Sequence, residues 1–134
     1  TVRALEPDVR DELERRIRMI AEGQAASYGM RAEGDYERGY PPMINHTAET
    51  GYLRDLARRF AGEEKVTDLT RPFMGSKDFA YFLEERPGCY FMLGTARTDR
   101  DPPLHHPKYD FNDDILPIGT SFWVELAEDF LSSR

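Results

Sequence analysis

The run Met30-Arg31-Ala32-Glu33-Gly34-Asp35-Tyr36-Glu37-Arg38-Gly39-Tyr40 alternates in character and then meets Pro41-Pro42. Successive side chains of an extended chain point to opposite sides, so Ala32, Gly34, Tyr36 and Tyr40 share one face and Glu33, Asp35 and Glu37 the other. Proline has no N–H to give to a ladder, so the pair at 41 and 42 ends the strand. Upstream, Pro7 suits the first helical position and Asp8 the first turn. Val9, Leu13, Ile17 and Ile20 recur at helical spacing and form one apolar stripe. Asp11–Arg15, Glu12–Arg16 and Glu14–Arg18 are acid-to-base pairs for the wet side. Gly29 can take a left-handed cap after Tyr28, so a helix is predicted from Pro7 to Tyr28. Thr1-Val2-Arg3-Ala4-Leu5 reads as a further strand. Strand, helix and strand together predict part of an α+β sandwich whose helix covers one face of a sheet.

Beyond the prolines the pattern restarts, which makes Pro41 to Asn45 the boundary between an α+β part, 1–43, and an α/β part, 44–134. Leu53, Leu56, Ala57 and Phe60 form a helical stripe that ends at Gly62. Val66 to Leu69 is a short strand. Ser76 can cap a helix carrying Phe79, Phe82 and Leu83, and Arg86-Pro87-Gly88 turns the chain. Cys89-Tyr90-Phe91-Met92-Leu93 is a continuous apolar run, the mark of a strand buried on both faces. A polar loop, Thr95 to Pro103, follows. Asp113 or Asp114 begins a last helix with Pro117 in its first turn and Ile118, Phe122, Leu126 and Phe130 on its buried side. The predicted class is therefore α/β, and neither part has enough strands to close a sheet alone. Since the opening strand also lacks an upstream partner, a fragment of a larger protein is expected.

The 134 residues carry 25 acidic and 18 basic side chains, for a net charge of −7. No basic face stands out, which argues against a nucleic-acid partner. No apolar run approaches the roughly 18–20 residues needed to cross a membrane, and no signal-peptide pattern opens the chain. The single cysteine, Cys89, excludes an internal disulfide and fits a reducing cytoplasm.

Candidate chemistry is confined to a few residues. Of the three histidines, His46, His105 and His106, the adjacent pair cannot easily bind one metal together, because neighbours in an extended chain face apart. Either one can do so alone. Carboxylates follow closely in His106-Pro107-Lys108-Tyr109-Asp110-Phe111-Asn112-Asp113-Asp114, and a metal-bound imidazole usually donates its other N–H to such a group. Cys89, in an apolar run after Pro87-Gly88, reads as a small packing residue.

Several stretches resemble, in order along nearly the whole chain, the M20 family of metal-dependent amidohydrolases. Within it, the likeness is to subfamily D, the hippurate hydrolases and N-acyl-L-amino acid amidohydrolases. Leu104-His105-His106-Pro107 with Tyr109-Asp110-Phe111-Asn112-Asp113 and Leu116-Pro117-Ile118-Gly119 is similar to the family's C-terminal metal-ligand segment. Thr1-Val2-Arg3 resembles a strand of its lid domain, and Gly39-Tyr40-Pro41-Pro42 through Asn45 resembles the exit from that domain. Met74-Gly75-Ser76-Lys77-Asp78-Phe79 and Pro87-Gly88-Cys89 through Leu93-Gly94 resemble two further family segments. Lys77 departs from the pattern, which has an acid there.

The resemblance implies an incomplete piece of a two-domain, zinc-peptidase-like metallohydrolase. Residues 1–43 would be the C-terminal part of the lid or dimerisation domain, and 44–134 that of the catalytic domain. It implies that His105 is the metal ligand and His106 a bystander, with Asp110 or Asp113 as partner to the ligand. Asn45 is then either a substrate-binding residue or a turn residue ending the hinge. The family's H-x-C-G-H-D segment and Glu-Glu pair, which bring other ligands and the general base, have no counterpart here. No catalytic residue is assigned, and the chain alone is expected to be inactive and metal-free. The whole enzyme would be a cytoplasmic homodimer, paired through the lid. It would use zinc, manganese or nickel ions to hydrolyse the amide bond of N-acyl amino acids. The alternative is a stand-alone binding or dimerisation module derived from such an enzyme.

Overall fold

Helix α1, Pro7–Ser27, starts and stops where the local signals place it. Pro7 opens it, Asp8 lies in the first turn, and Gly29 takes a left-handed φ of 67° just past its end. The Gly29 N–H reaches the Ala26 carbonyl at 3.0 Å and the Met30 N–H reaches Ala25 at 2.9 Å. Those two bonds satisfy carbonyls that a helix end otherwise leaves unpaired. In the computed structural model, which describes residues 1–132, three more α-helices follow: α2, Thr47–Ala61; α3, Phe79–Glu85; and α4, Ile115–Ser132. A 3-10 turn, Glu63–Lys65, follows α2.

No strand forms among the described residues, so the α/β expectation is not met within them. Thr1–Leu5, Met30–Tyr40, Val66–Leu69 and Cys89–Leu93 suit strands by composition but pair in no ladder. A strand is a property of two segments, and alternation along one cannot supply its neighbour. The 34–39 segment is instead tied to α1 by arginines. Arg38 pairs with Asp11 at 2.6 Å and Glu14 at 2.7 Å. Arg18 donates to the Gly34 carbonyl at 3.1 Å, and Arg10 to that of Gly39, also at 3.1 Å. The expected Asp11–Arg15 pair is displaced, since Arg15 turns to Glu12 at 2.7 Å, where Arg16 also binds at 2.6 Å.

The chain divides into two compact units. One comprises Thr1–His46 with Leu69–Gly88, the other Thr47–Asp68 with the chain from Cys89 onward. The two-part reading, 1–43 and 44–134, placed Leu69–Gly88 with the second part. The structure places that stretch with the first through contacts remote in sequence. The Arg3 guanidinium donates to the Met74 carbonyl. Tyr40 meets Tyr81 edge-on at 5.8 Å. The His46 N–H donates to the Gly88 carbonyl at 3.0 Å. Ser76 does not cap α3: Asp78 holds the cap position without a side-chain bond.

In the second unit α2 packs on α4. Leu56 and Phe122 are buried, with the Phe60 and Phe91 rings each 5.4 Å from that of Phe122. Gly119 on α4 lets the Cys89–Leu93 segment approach, since an added Cβ would stand 3.2 Å from the Leu93 Cδ2. At the other end Asp129 accepts from the Tyr52 hydroxyl at 2.5 Å and from Arg59 at 3.0 Å. The Asp129 bond holds the Tyr52 phenol above its ordinary pKa.

The accessible surface totals 11353 Å² for 15.5 kDa. A single folded chain of that mass exposes about 7,200 Å², and two independent halves about 8,700 Å². The buried apolar residues among those described are Leu56, Ala80, Leu83 and Phe122. Ile17 and Ile20 of the α1 stripe, and Trp123 and Leu131 of α4, remain exposed. Apolar faces are made but not covered.

Helix α1, lacking a buried residue, leans on its ion pairs. Arg15 and then Arg16, by hydrogen bonding, hold the Glu12 carboxyl at about 2 against its usual 4.5. Because the folded value is the lower one, the contribution is full above pH 4.5 and is lost as pH falls towards 2. Acid titration followed by far-UV circular dichroism should show α1 helicity declining across that window. Glu12→Gln should remove that part of the decline. An unchanged acid limb in this variant would show that the pairs contribute nothing.

Candidate functional site

A doubled-back loop between Thr95 and Asn112, within the second unit, carries the histidine pair. Its first arm is closed by Asp101, whose carboxylate accepts from the Arg97 N–H at 2.6 Å and the Thr98 hydroxyl at 2.8 Å. Those bonds, the Arg97 one foremost, hold its pKa below the usual carboxylate value. Cross-links join the arms. Thr95 Oγ1 and the Tyr109 hydroxyl are 3.0 Å apart, and the Asn112 Nδ2 donates to the Thr95 carbonyl at 3.1 Å. Arg97 donates to the Phe111 carbonyl at 2.8 Å and reaches Asp110 at 3.4 Å. The Tyr109 and Phe111 rings meet edge-on at 5.2 Å.

Asn112 also turns the chain just ahead of α4. Its Oδ1 accepts from the Asp114 N–H at 3.2 Å, and its carbonyl from the Ile115 N–H at 3.3 Å. This is the turn an asparagine makes with the backbone two residues on. Helix α4 starts at Ile115, directly after the expected Asp113 or Asp114.

At the tip, the His106 N–H donates to the Pro103 carbonyl at 3.1 Å, closing a β-turn with Leu104 and His105 at its centre. His105 has φ of 70°, the one left-handed non-glycine residue among those described. A type II turn demands that sign at its third position and normally takes glycine or asparagine there. A residue with a Cβ pays about 1–2 kcal/mol for it. Such strain persists only where the surroundings impose it, and it gathers at functional sites. The His105 side chain is exposed, and its imidazole makes no hydrogen bond among the described residues.

His106 is engaged differently. Its Nδ1 accepts from the Lys108 N–H at 3.1 Å, so the neutral ring carries its proton on Nε2. The histidines lie in a turn, not in the extended run assumed from sequence. What separates them is the left-handed backbone of one and the tied ring of the other. Neither Asp110 nor Asp113 hydrogen-bonds His105 through its carboxylate. Asp110 turns to Arg97, while the Asp113 carbonyl accepts from the Leu116 N–H at 3.1 Å.

The remaining candidates read as structural or belong to the other unit. His46 clips the first unit together: its Nδ1 accepts from the Gly88 N–H at 3.2 Å while its own N–H donates back. Gly88 is close-set, since a Cβ there would stand 3.1 Å from the Leu83 Cδ2. Asn45 is half-buried beside this clip, in the first unit, whereas His105 belongs to the second. Lys77 and Asp78 are exposed ahead of α3 and give it their carbonyls. Cys89 is half-buried, its Sγ 3.8 Å from the Tyr90 carbonyl. Among the described residues no three His, Cys, Asp or Glu side chains converge to hold a metal ion. The uncommitted His105 imidazole fits as one ligand of such an ion, and the described residues offer no complete set. No described helix is long and apolar enough to cross a membrane. The frame of Thr95, Arg97, Tyr109 and Asn112 escaped the sequence reading; an asparagine just ahead of a helix start was its one visible signal.

Comparison with known proteins places these features in context. The pattern of Peptidase family M20/M25/M40 matches residues 6–129. The putative amidohydrolase YhaA of Bacillus subtilis is 39% identical over 118 residues, covering 87% of this chain and 30% of the relative. The N-acetyl-L-cysteine deacetylase of the same organism is 32% identical over the whole chain, which spans 31% of it. N-acetyldiaminopimelate deacetylase of Streptococcus pneumoniae is 33% identical over 100% of the chain and 34% of its own length. The chain therefore spans about a third of the curated relatives it matches. No solved structure matches it.

Proposed function

The chain belongs to peptidase family M20/M25/M40, and on that premise we propose that it is part of a metal-dependent amidohydrolase acting on N-acyl amino acids, hippurate-like substrates included. The observation that supports this most is the alignment of the entire chain with two deacetylases whose names specify N-acetylated amino acids. Removing an acetyl group from an amino acid is amide hydrolysis: water adds across the C–N bond, giving a carboxylic acid and a free amine.

In this reading residues 1–43 belong to the lid and dimerisation domain and 44–134 to the catalytic domain. The strand-like segments complete an α/β fold with partners outside the described residues, which accounts for the uncovered apolar faces. His105 is one ligand of a divalent ion, zinc, manganese or nickel. Such an ion, when bound, polarises the amide carbonyl and lowers the pKa of water. His105 presents its exposed imidazole at the tip of a cross-linked loop, and Asn45, at the exit from the lid, binds substrate. The enzyme is a cytoplasmic homodimer, and the 134-residue chain alone is inactive.

The test is turnover of hippurate and a series of N-acetyl amino acids by the longer protein and by the 134-residue chain in parallel. Each is assayed after chelation and after return of zinc, manganese or nickel. Metal-dependent release of free amino acid by the longer protein, with none by the short chain, is the expected result. A longer protein that binds no metal and hydrolyses none of these amides would be a non-catalytic module. Turnover by the 134 residues that disappears in His105→Ala would overturn the claim of inactivity.

A further inference from the structure

We propose that Asn112 is the positioning residue of the His105 loop, its side-chain amide locking the two arms to each other and to the start of α4. The inference rests on the reading of His105 as a metal ligand and concerns how that ligand is held.

His105 stands in a backbone conformation that a residue with a Cβ does not choose. Something outside the turn must impose it. The Pro103–His106 bond closes the turn, and the Tyr109 N–H, 2.9 Å from the His106 carbonyl, continues it into the second arm; the side-chain contacts that fix this arm to the first lie at the base of the loop. There Asn112 engages both ends of its amide. Nδ2 donates across the loop to Thr95, while Oδ1 accepts from Asp114 at the head of α4. With both ends in use the amide has a single orientation. The second arm is therefore fixed to the first and to a helix that is itself anchored by Phe122. Tyr109 supports the same frame through Thr95, and Arg97 through Phe111. Asn112 is half-buried, so its bond to Thr95 is sheltered from competing water.

Asn112→Asp separates positioning from mere structure, because the shape is kept and one function is lost. The carboxylate still accepts from Asp114, and a negative charge at a helix start is favourable. The donor to Thr95 is gone, and a carboxylate oxygen faces a carbonyl. In the full-length enzyme three measurements are made: zinc affinity by chelator competition, amide hydrogen exchange at His106 in metal-free protein, and the thermal midpoint of metal-free protein. Asn112→Asp should weaken zinc binding about 10–100-fold, as loss of a group supporting a ligand does. It should speed exchange at His106 while leaving α4 protected and the thermal midpoint close to that of the parent.

Parent-like zinc affinity in this variant would overturn the proposal. So would a loss of affinity matched by general loss of protection and of thermal stability. If Asn112→Asp does not fold, Tyr109→Phe, which removes only the hydroxyl bonded to Thr95, must weaken zinc binding and speed His106 exchange; no effect there also overturns it. His105→Ala is run alongside. Should that variant keep full zinc affinity, the ligand reading of His105 fails, a result distinct from failure of the Asn112 assignment.

Discussion

Replacing His105 by alanine in the full-length enzyme should abolish turnover and lower bound metal, while His106→Asn should leave most of both. Loss of a group that merely supports a ligand costs about 10–100-fold in metal affinity or activity, and loss of the ligand itself at least as much. His105 offers an exposed, uncommitted imidazole at the turn tip. The His106 ring already accepts from Lys108 through Nδ1, and coordination through Nε2 would require moving its proton and giving up that bond. Asparagine at 106 keeps an acceptor close to where Nδ1 stands, so the turn survives the change. Metal content and kcat/KM, measured on the same preparations, check both variants. His105→Gly adds an independent reading. It should lose metal as fully as the alanine variant, yet the φ of 70° costs glycine nothing. Set against the greater freedom of glycine in the unfolded chain, the metal-free variant should be more stable than His105→Ala by up to about 1 kcal/mol. Equal metal loss from His105→Ala and His106→Asn would show that the wrong imidazole has been chosen.

What could be read from residues alone follows a physical line. The ends of α1 were legible because a first-turn proline and a capping glycine act on their immediate neighbours. The stripe through Leu56 and Phe60, and that through Phe122, located α2 and α4 for the same reason. The segments around Tyr36 and Phe91 read as strands because their side chains suit a pleated surface. Pairing, however, depends on a second segment that no local pattern supplies, and none of the described residues provides it. The compact units differ from the 1–43 and 44–134 reading at Leu69–Gly88 for a related reason, since the ties from Arg3 to Met74 and from His46 to Gly88 span long stretches of chain. At the loop, the residue types around His105 were visible as a motif, but its left-handed backbone was not. Histidine does not announce that conformation as glycine would. Nor did the acids nearest the pair become its hydrogen-bond partners, because Arg97 draws Asp110 away.

The second large effect is expected at Phe122. This ring is the meeting point of the second unit, touched from α2 by Phe60 and from the Cys89–Leu93 segment by Phe91, both at 5.4 Å. Trp123 leans on Phe91 from the adjoining α4 position, also at 5.4 Å. Truncating a buried phenylalanine to alanine costs about 3–5 kcal/mol, and aromatic pairs add about 0.5–1.5 kcal/mol each beyond burial. Whole domains are stable by only about 5–15 kcal/mol, and this chain buries few apolar side chains among those described, so it has little reserve. In the 134-residue chain, Phe122→Ala should remove most or all of the cooperative unfolding transition of the second unit. Phe122→Leu, which keeps much of the volume, should retain a transition at lower denaturant. Trp123→Ala, at a residue 57% exposed, should cost less than Phe122→Ala. Urea denaturation followed by fluorescence of the single tryptophan, Trp123, reports the first two variants beside that core, and far-UV circular dichroism the third. A Phe122→Ala midpoint equal to that of the parent would mean that α2 and α4 are not held through this ring. If His105 is a metal ligand, as proposed, the same variant in the longer protein should also bind metal less tightly, because Asn112 bonds the His105 loop to the residues just ahead of α4.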